Sequence, residues 1–191
     1  MEILQRFGML DYKSMLTPMV ANLKILSDTS SDRVDSTIYR QMIGSLMYLT
    51  NTRLDICFAV NTLSQFMVEP RRVHWIAEKH VLRYLKGTVE YGLRYGSDHE
   101  INLEGYTDAD REGTVTDRKN TSGFCFSMGS AVISWLSRKQ SSVALSTAEA
   151  KYMAACLASG EVVWLRKMIS GLFDQVWMYQ DDQESHVSWL V

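Results

Sequence analysis

The chain has no C-x-x-C motif and no close cysteine pair: Cys57, Cys125 and Cys156 are scattered through its 191 residues. An odd count at such spacing argues for free, reduced thiols and against a zinc site or a disulfide framework. No apolar run approaches the ~18 residues that a membrane-spanning helix needs. The opening stretch MEILQRFGMLDYKSMLTPMV carries charges throughout, which argues against a cleavable secretory leader. Charge of one sign is also lacking. The formal net charge is −2, so no global field draws the chain onto nucleic acid, and any such binding has to come from local patches. There is no internal repeat and no low-complexity tract. The four histidines, His74, His80, His99 and His186, show no metal-ligand spacing. What these absences leave is an intracellular protein of ordinary globular composition, 46% hydrophobic and 22% charged.

The residues that are present fall into two regimes. A polar run, SDTSSDRVDS (27–36), reads as a linker. After it, Asp35 or Ser36 is placed to cap a helix over TIYRQMIGSLMYLTNT, with Ile38, Met42, Leu46 and Leu49 near helical spacing. A second helix, RLDICFAVNTLSQFMVEP, is expected to stop at Pro70. A third, RRVHWIAEKHVLRYLKG, is expected to stop at Gly87. Near residue 88 the rhythm changes. YGLRYG (91–96) and INLEGYTDAD (101–110) look like strands, and GFCFSMG and AVISWLS flank a hairpin signal at Gly129-Ser130. A long helix is expected over 147–173 and a further strand over VWMYQDD (176–182). The pattern predicts an α+β or mixed α/β domain preceded by helices.

Acidic residues cluster where strands end and where the long helix begins: Asp108 and Asp110, Asp181 and Asp182, and Glu149. Carboxylates converging from separate elements suit a pair of magnesium ions about 4 Å apart, which stabilise the attacking and leaving oxygens of a phosphodiester displacement. The ordinary reading is that strand ends and helix starts are solvated and often acidic. Spacing alone favours that ordinary reading. Asp110 is expected on the opposite side of the strand from Asp108, in a structural role.

Longer blocks shift the balance. GYTDAD (105–110), DRKNTSGFCF (117–126), ISWLSRKQSSVALSTAEAKYMAA (133–155) and VVWLRKM (162–168) together resemble the ribonuclease H region of Ty1/copia-type retrotransposon Pol polyproteins. IYRQMIGSLMYLTNTRLDICFAV (38–60) and VHWIAEKHVLRYLKGT (73–88) resemble the segment joining reverse transcriptase to that region, and RFGMLDYKSMLTPM (6–19) looks like the tail of the reverse transcriptase. The resemblance implies three segments: 1–35 as reverse-transcriptase tail and linker, 36–88 as a helical connecting segment, and 89–191 as a ribonuclease H-like domain. It implies a mixed five-stranded sheet with packed helices, and hydrolysis of RNA in RNA–DNA hybrids by two Mg2+ ions held on a D-E-D-D carboxylate set. Carried over residue by residue, the first aspartate is Asp108. The third carboxylate is Asp181, because YQDDQ (179–183) stands where the family has a Y-C-D-N-Q type block. The family's fourth carboxylate lies in a Lys-His-Ile type block that has no counterpart before Val191. The expectation is therefore an incomplete domain without the fold's last helices, with a sheet edge open to a protein partner.

The second carboxylate raises the central question. Where the family reads T-A-E-A-E-Y, this chain reads TAEAKY (147–152). The ribonuclease H pattern of Glu, then Leu or Tyr, then x-Ala falls on the second of those glutamates, which here is Lys151. Ala154, Ala155 and Ala158 share the face of residue 151. Glu149, two residues earlier, lies about 200° round the helix at 100° per residue. Its own face carries Tyr152, Met153 and Cys156, so periodicity leaves both positions open. Glu149 stays a doubtful catalytic candidate, and Lys151 marks a degenerate position.

Two further signals complete the reading. YQDD (179–182) also matches the Y-x-D-D of reverse-transcriptase polymerase sites, but it follows the long helix instead of preceding the connecting segment. The stretch RRVHWIAEKHVLRYLK (71–86) carries Arg71, Arg72, Lys79, Arg83 and Lys86 against one acid, Glu78, with Trp75 and Tyr84 interleaved. Such a helix suits the phosphate backbone of a hybrid. Its ordinary reading, which is preferred, is an amphipathic helix with a solvated basic face and Trp75, Ile76 and Leu82 in the core. The expected function is a retrotransposon-derived ribonuclease H-like domain with weak or lost activity. The other possibility is a host-retained module that binds nucleic acid or protein without cleavage.

Overall fold

The computed structural model describes residues 2–19, 30–96, 102–110 and 119–172. The chain divides into two compact units, Met1–Leu93 and Arg94–Val191.

The first unit is helical. After a short helix α1 (Glu2–Arg6), helix α2 runs over Ser36–Leu49. Asp35 starts α2: its carboxylate accepts from the Thr37 N–H at 2.7 Å and the Ile38 N–H at 3.4 Å, satisfying donors that have no partner within the helix. Tyr39, Met42, Ile43 and Leu46 form its buried stripe. The second helix is shorter than its sequence suggests. A 3-10 turn over Leu54–Ile56 is followed by α3 (Cys57–Ser64), and residues 65–69 leave the helix before Pro70. Two causes act. At the front, Arg53 grips Asp55 at 2.9 and 2.7 Å and also donates to the backbone oxygen and hydroxyl of Thr88, holding a separate tight turn. At the rear, the proline disfavours helical backbone in the residue before it.

Helix α4 (Arg72–Gly87) presents His74, Ala77, Glu78, Val81, Leu82 and Leu85 inward at helical spacing. Trp75 packs at the edge of this core, but Ile76 is 58% exposed. The expected core place of Ile76 fails because position 76 lies off the 74-77-78-81 stripe. The N-terminal segment runs along the outside of α4 as a strap. The backbone oxygens of Tyr12, Lys13 and Thr17 meet Lys86 Nζ, Arg83 Nε and His80 Nε2 at 2.7, 2.6 and 2.9 Å.

The second unit holds three antiparallel strands in the order β1-β2-β3: β1 (Leu103–Asp110), β2 (Thr121–Met128) and β3 (Ala131–Lys139). Gly129, at φ 62, takes the left-handed conformation that the tight β2–β3 turn requires. Residues 91–96 form no strand. They are irregular, tied to the hairpin by Tyr95 Oη donating to the Val132 oxygen and by the Gly96 N–H donating to Ser130 Oγ. Helix α5 (Thr147–Leu172) packs on one face of the sheet. Ala150 and Ala154 meet Ala109, and Ala158 and Leu165 meet Phe126. Small side chains let helix and sheet approach closely. The strand expected over 176–182 lies outside the described residues. No described helix is long and apolar enough to cross a membrane.

Candidate catalytic site and its lysine

Strand alternation decides where Asp108 stands. Ala109 is buried against α5, so its neighbour Asp108 belongs to the other face of the sheet, where it is exposed. Its Oδ1 accepts from the Ala109 N–H at 2.7 Å. Across the ladder Asp108 pairs with Gly123 and position 110 with Thr121. Positions 108 and 110 are two apart in one strand, and the pleat puts positions of that spacing on the same side. The expectation that they point to opposite faces is thus corrected.

Glu149 has a different occupation. Ser146 Oγ accepts from the Glu149 N–H at 3.1 Å, and Glu149 Oε2 accepts from the Leu145 N–H at 2.6 Å. The two bonds resemble a capping box, with the glutamate reaching the N–H of the residue before the serine, so that serine and glutamate satisfy backbone donors at the start of α5. The glutamate is exposed. Its signal was readable: S-T-A-E is the S/T-x-x-E spacing of such a cap.

Lys151 sits two residues further on and is half-buried. It adjoins the alanine contact: Ala150 and Ala154 touch Ala109, the residue after Asp108. Positions 108 and 151 are therefore each one residue from a shared contact. No described residue forms an ion pair with Lys151. Asp181 lies outside the described residues, so the structure speaks only to the Asp108, Glu149 and Lys151 positions of the expected set. Among the described residues no group of three or more His, Cys, Asp or Glu could hold a metal ion. The described members of the expected set, one exposed carboxylate, one carboxylate bonded at the helix start and one lysine, do not by themselves make a magnesium centre.

The basic helix is engaged within its own unit. Arg71 pairs with Glu69 at 2.8 Å and donates to the Ser31 oxygen at 2.9 Å. Lys79 lies over the rings of Trp75 and Tyr12, at 5.2 and 5.7 Å. Arg83 and Lys86 hold the strap. Arg72 is exposed.

Sequence reasoning passed over the most unusual ionisable group. Glu78 is fully buried, and neither of its oxygens has a hydrogen-bond partner among the described residues. Burial pushes its carboxyl up to about 9. Tyr39, the neighbour it influences, gives its hydroxyl proton to the Leu63 oxygen at 2.9 Å instead. The signal lay in α4's core stripe, which passes through position 78.

Antiparallel strands bearing one long helix on a single face, preceded in sequence by a helical unit, make a mixed α/β chain consistent with a ribonuclease H-like α+β fold. The chain belongs to the family of Ty1/copia-type retrotransposon Pol polyproteins and retrotransposon-related proteins. The retrovirus-related Pol polyprotein from transposon TNT 1-94 of Nicotiana tabacum is 37% identical over 194 residues, which is 97% of this chain and 14% of that protein. An uncharacterized mitochondrial protein of Arabidopsis thaliana is 39% identical over 85% of this chain and 68% of its own length. A protein of Plasmopara viticola named secreted RxLR effector protein 161 is 46% identical over 66% of this chain and 90% of its own length. The chain thus spans about one-seventh of the TNT 1-94 polyprotein. No family model matches the chain. No solved structure matches it either.

Proposed function

We propose that the second unit descends from a ribonuclease H that cleaved RNA in RNA–DNA hybrids with two Mg2+ ions, and that it no longer performs this hydrolysis. The observation that carries the reading is the pairing of Glu149 with the helix cap, which leaves Lys151 at the position the resemblance assigns to the second carboxylate. A unit charge and a divalent ion at ~4 Å interact by roughly 8 kcal/mol at an effective dielectric near 20. An ammonium there turns that attraction into repulsion, and the lost ligand weakens the site further. Asp108 and Asp181 are the carboxylates that remain in the proposed set.

The test is a hybrid-cleavage assay with Mg2+ on the unaltered chain and on its Lys151→Glu and Asp108→Asn variants. The unaltered chain is expected to be inert, and Lys151→Glu is expected to bind divalent cations at least tenfold more tightly. Brisk Mg2+-dependent cleavage by the unaltered chain, abolished by Asp108→Asn, would sink the proposal.

A second reading has one observation in its favour. The chain spans 68% and 90% of two short relatives, so this region occurs outside long polyproteins. In that reading the chain is a binding module that grips a hybrid through α4, or a protein through the sheet edge, without cleavage. Retention of a labelled hybrid in EDTA favours the module. Absence of binding at low salt removes it.

A further inference from the structure

We infer that Gln140 is a positioning residue that locks the register of α5 on the sheet and so decides which side chain of the helix start faces the end of β1. The inference deepens the proposed function and rests on it only in its second experimental arm.

Gln140 follows β3 directly and is nearly fully buried. Its backbone N–H donates to the Asn120 oxygen at 2.8 Å, continuing the strand ladder. Its side-chain Nε2 donates to Ser122 Oγ on β2 at 2.8 Å and to the Ala150 oxygen on α5 at 3.0 Å. One amide therefore joins β3, β2 and the first turns of the helix. Its Oε1 is buried with no described partner. An apolar side chain of similar length would fill the same space without stranding an acceptor. The use of the amide lies in its two directed bonds.

The bond to Ala150 selects a register. Advancing α5 by the two residues that separate Glu149 from position 151 rotates it about 200° and shifts it about 3 Å. That motion removes the Ala150 oxygen from Nε2. It also drives a longer side chain into the seat where Ala150, Ala154 and Ala109 are buried against one another. The clamp and the seat together exclude the rotation by which Glu149 would replace residue 151. The bonds of Glu149 to Leu145 N–H and Ser146 Oγ hold it from the other side.

Amide hydrogen exchange on the full chain tests the clamp without metal. Gln140→Met keeps the length and removes the donors. Protection of amides 151–155 is expected to fall at least tenfold, while that of Phe126 in mid-sheet changes less than twofold. An equal fall across the unit, or none, overturns the inference. Ser122→Ala removes one anchor only and should give the same pattern at smaller amplitude should Gln140→Met fold poorly. In the second arm, Mn2+ binding is read by its paramagnetic resonance signal in Lys151→Glu with and without Gln140→Met, at a temperature where both are folded. A tenfold or greater loss of affinity supports the positioning role, and an unchanged affinity counts against it. If Lys151→Glu gains no Mn2+ affinity, the reading of position 151 fails, and the exchange pattern still decides the role of Gln140.

Discussion

Replacing Glu78 by glutamine should abolish a pH dependence of stability that few helical units would show. In the folded chain the Glu78 carboxyl is pushed from its ordinary 4.5 up to about 9 by burial. The folded state therefore holds a proton that the unfolded chain releases above about pH 4.5. Stability from this group is fully present below that pH. It falls as pH rises towards about 9 and is level beyond. Within the window each pH unit costs roughly 1.4 kcal/mol, so moving from pH 5 to pH 7.5 costs about 3.4 kcal/mol. Single domains are stable by about 5–15 kcal/mol, so the loss is a large share of the total. Glutamine keeps the shape of the protonated acid but does not ionise. Urea unfolding of the full chain, followed by circular dichroism at both pH values, measures the difference. With a slope of about 1–3 kcal/mol per molar urea, the unaltered midpoint for the first unit should drop by roughly 1–3 M, and that of Glu78→Gln should not share the drop. His74, one turn earlier in α4, accepts the Arg71 N–H through Nδ1 and is common to both proteins. The comparison between variants isolates Glu78 from it. Parallel pH profiles for the two proteins would refute the reasoning.

Gly105→Ala should destabilise the second unit by about 1–3 kcal/mol, because an added methyl would overlap the Phe126 ring. Thermal unfolding checks it, and Phe126→Leu in the same chain should recover part of the loss. Glu149→Ala should cost about 0.5–2 kcal/mol through the lost cap while leaving the Mn2+ affinity of Lys151→Glu within twofold. A selective loss of that affinity would return Glu149 to the candidate metal ligands.

Most helices were legible because their apolar spacing and caps agree: α2 begins at the Asp35 cap, and α5 runs over Thr147–Leu172 against an expected 147–173. The hairpin at Gly129 was equally plain. The failures have physical causes outside local pattern. YGLRYG has strand residues, yet side-chain bonds from Tyr95 and to Ser130 fix it as irregular chain. The helix over 53–70 is cut by an Arg53–Asp55–Thr88 network whose members lie 35 residues apart, which no local window reveals. In the candidate site, Lys151 was visible as a departure from a resembled motif. The task of Glu149 was also visible, in the Ser146 spacing. Glu78 was harder to see because an acid among five bases reads as part of a solvated face until the core stripe is traced through it.

The basic helix gives a last, quantitative discriminator between a relic and a binding module. Each cation that neutralises a phosphate on a duplex contributes about −0.9 to the slope of log K against log salt. If Arg71, Arg72, Lys79, Arg83 and Lys86 all served, the slope would approach about −4.5. Four of them are already committed: Arg71 to Glu69 and Ser31, Lys79 between Trp75 and Tyr12, and Arg83 and Lys86 to the strap's backbone oxygens. Arg72 is the exposed remainder, so hybrid binding by the folded chain should show a slope near −1 from this helix. Neutralising Arg71, Arg72 and Lys79 together should flatten it by about one unit rather than three. A measured slope of −4 would mean that phosphates displace the strap oxygens from Arg83 and Lys86, and the module reading would then outweigh the relic.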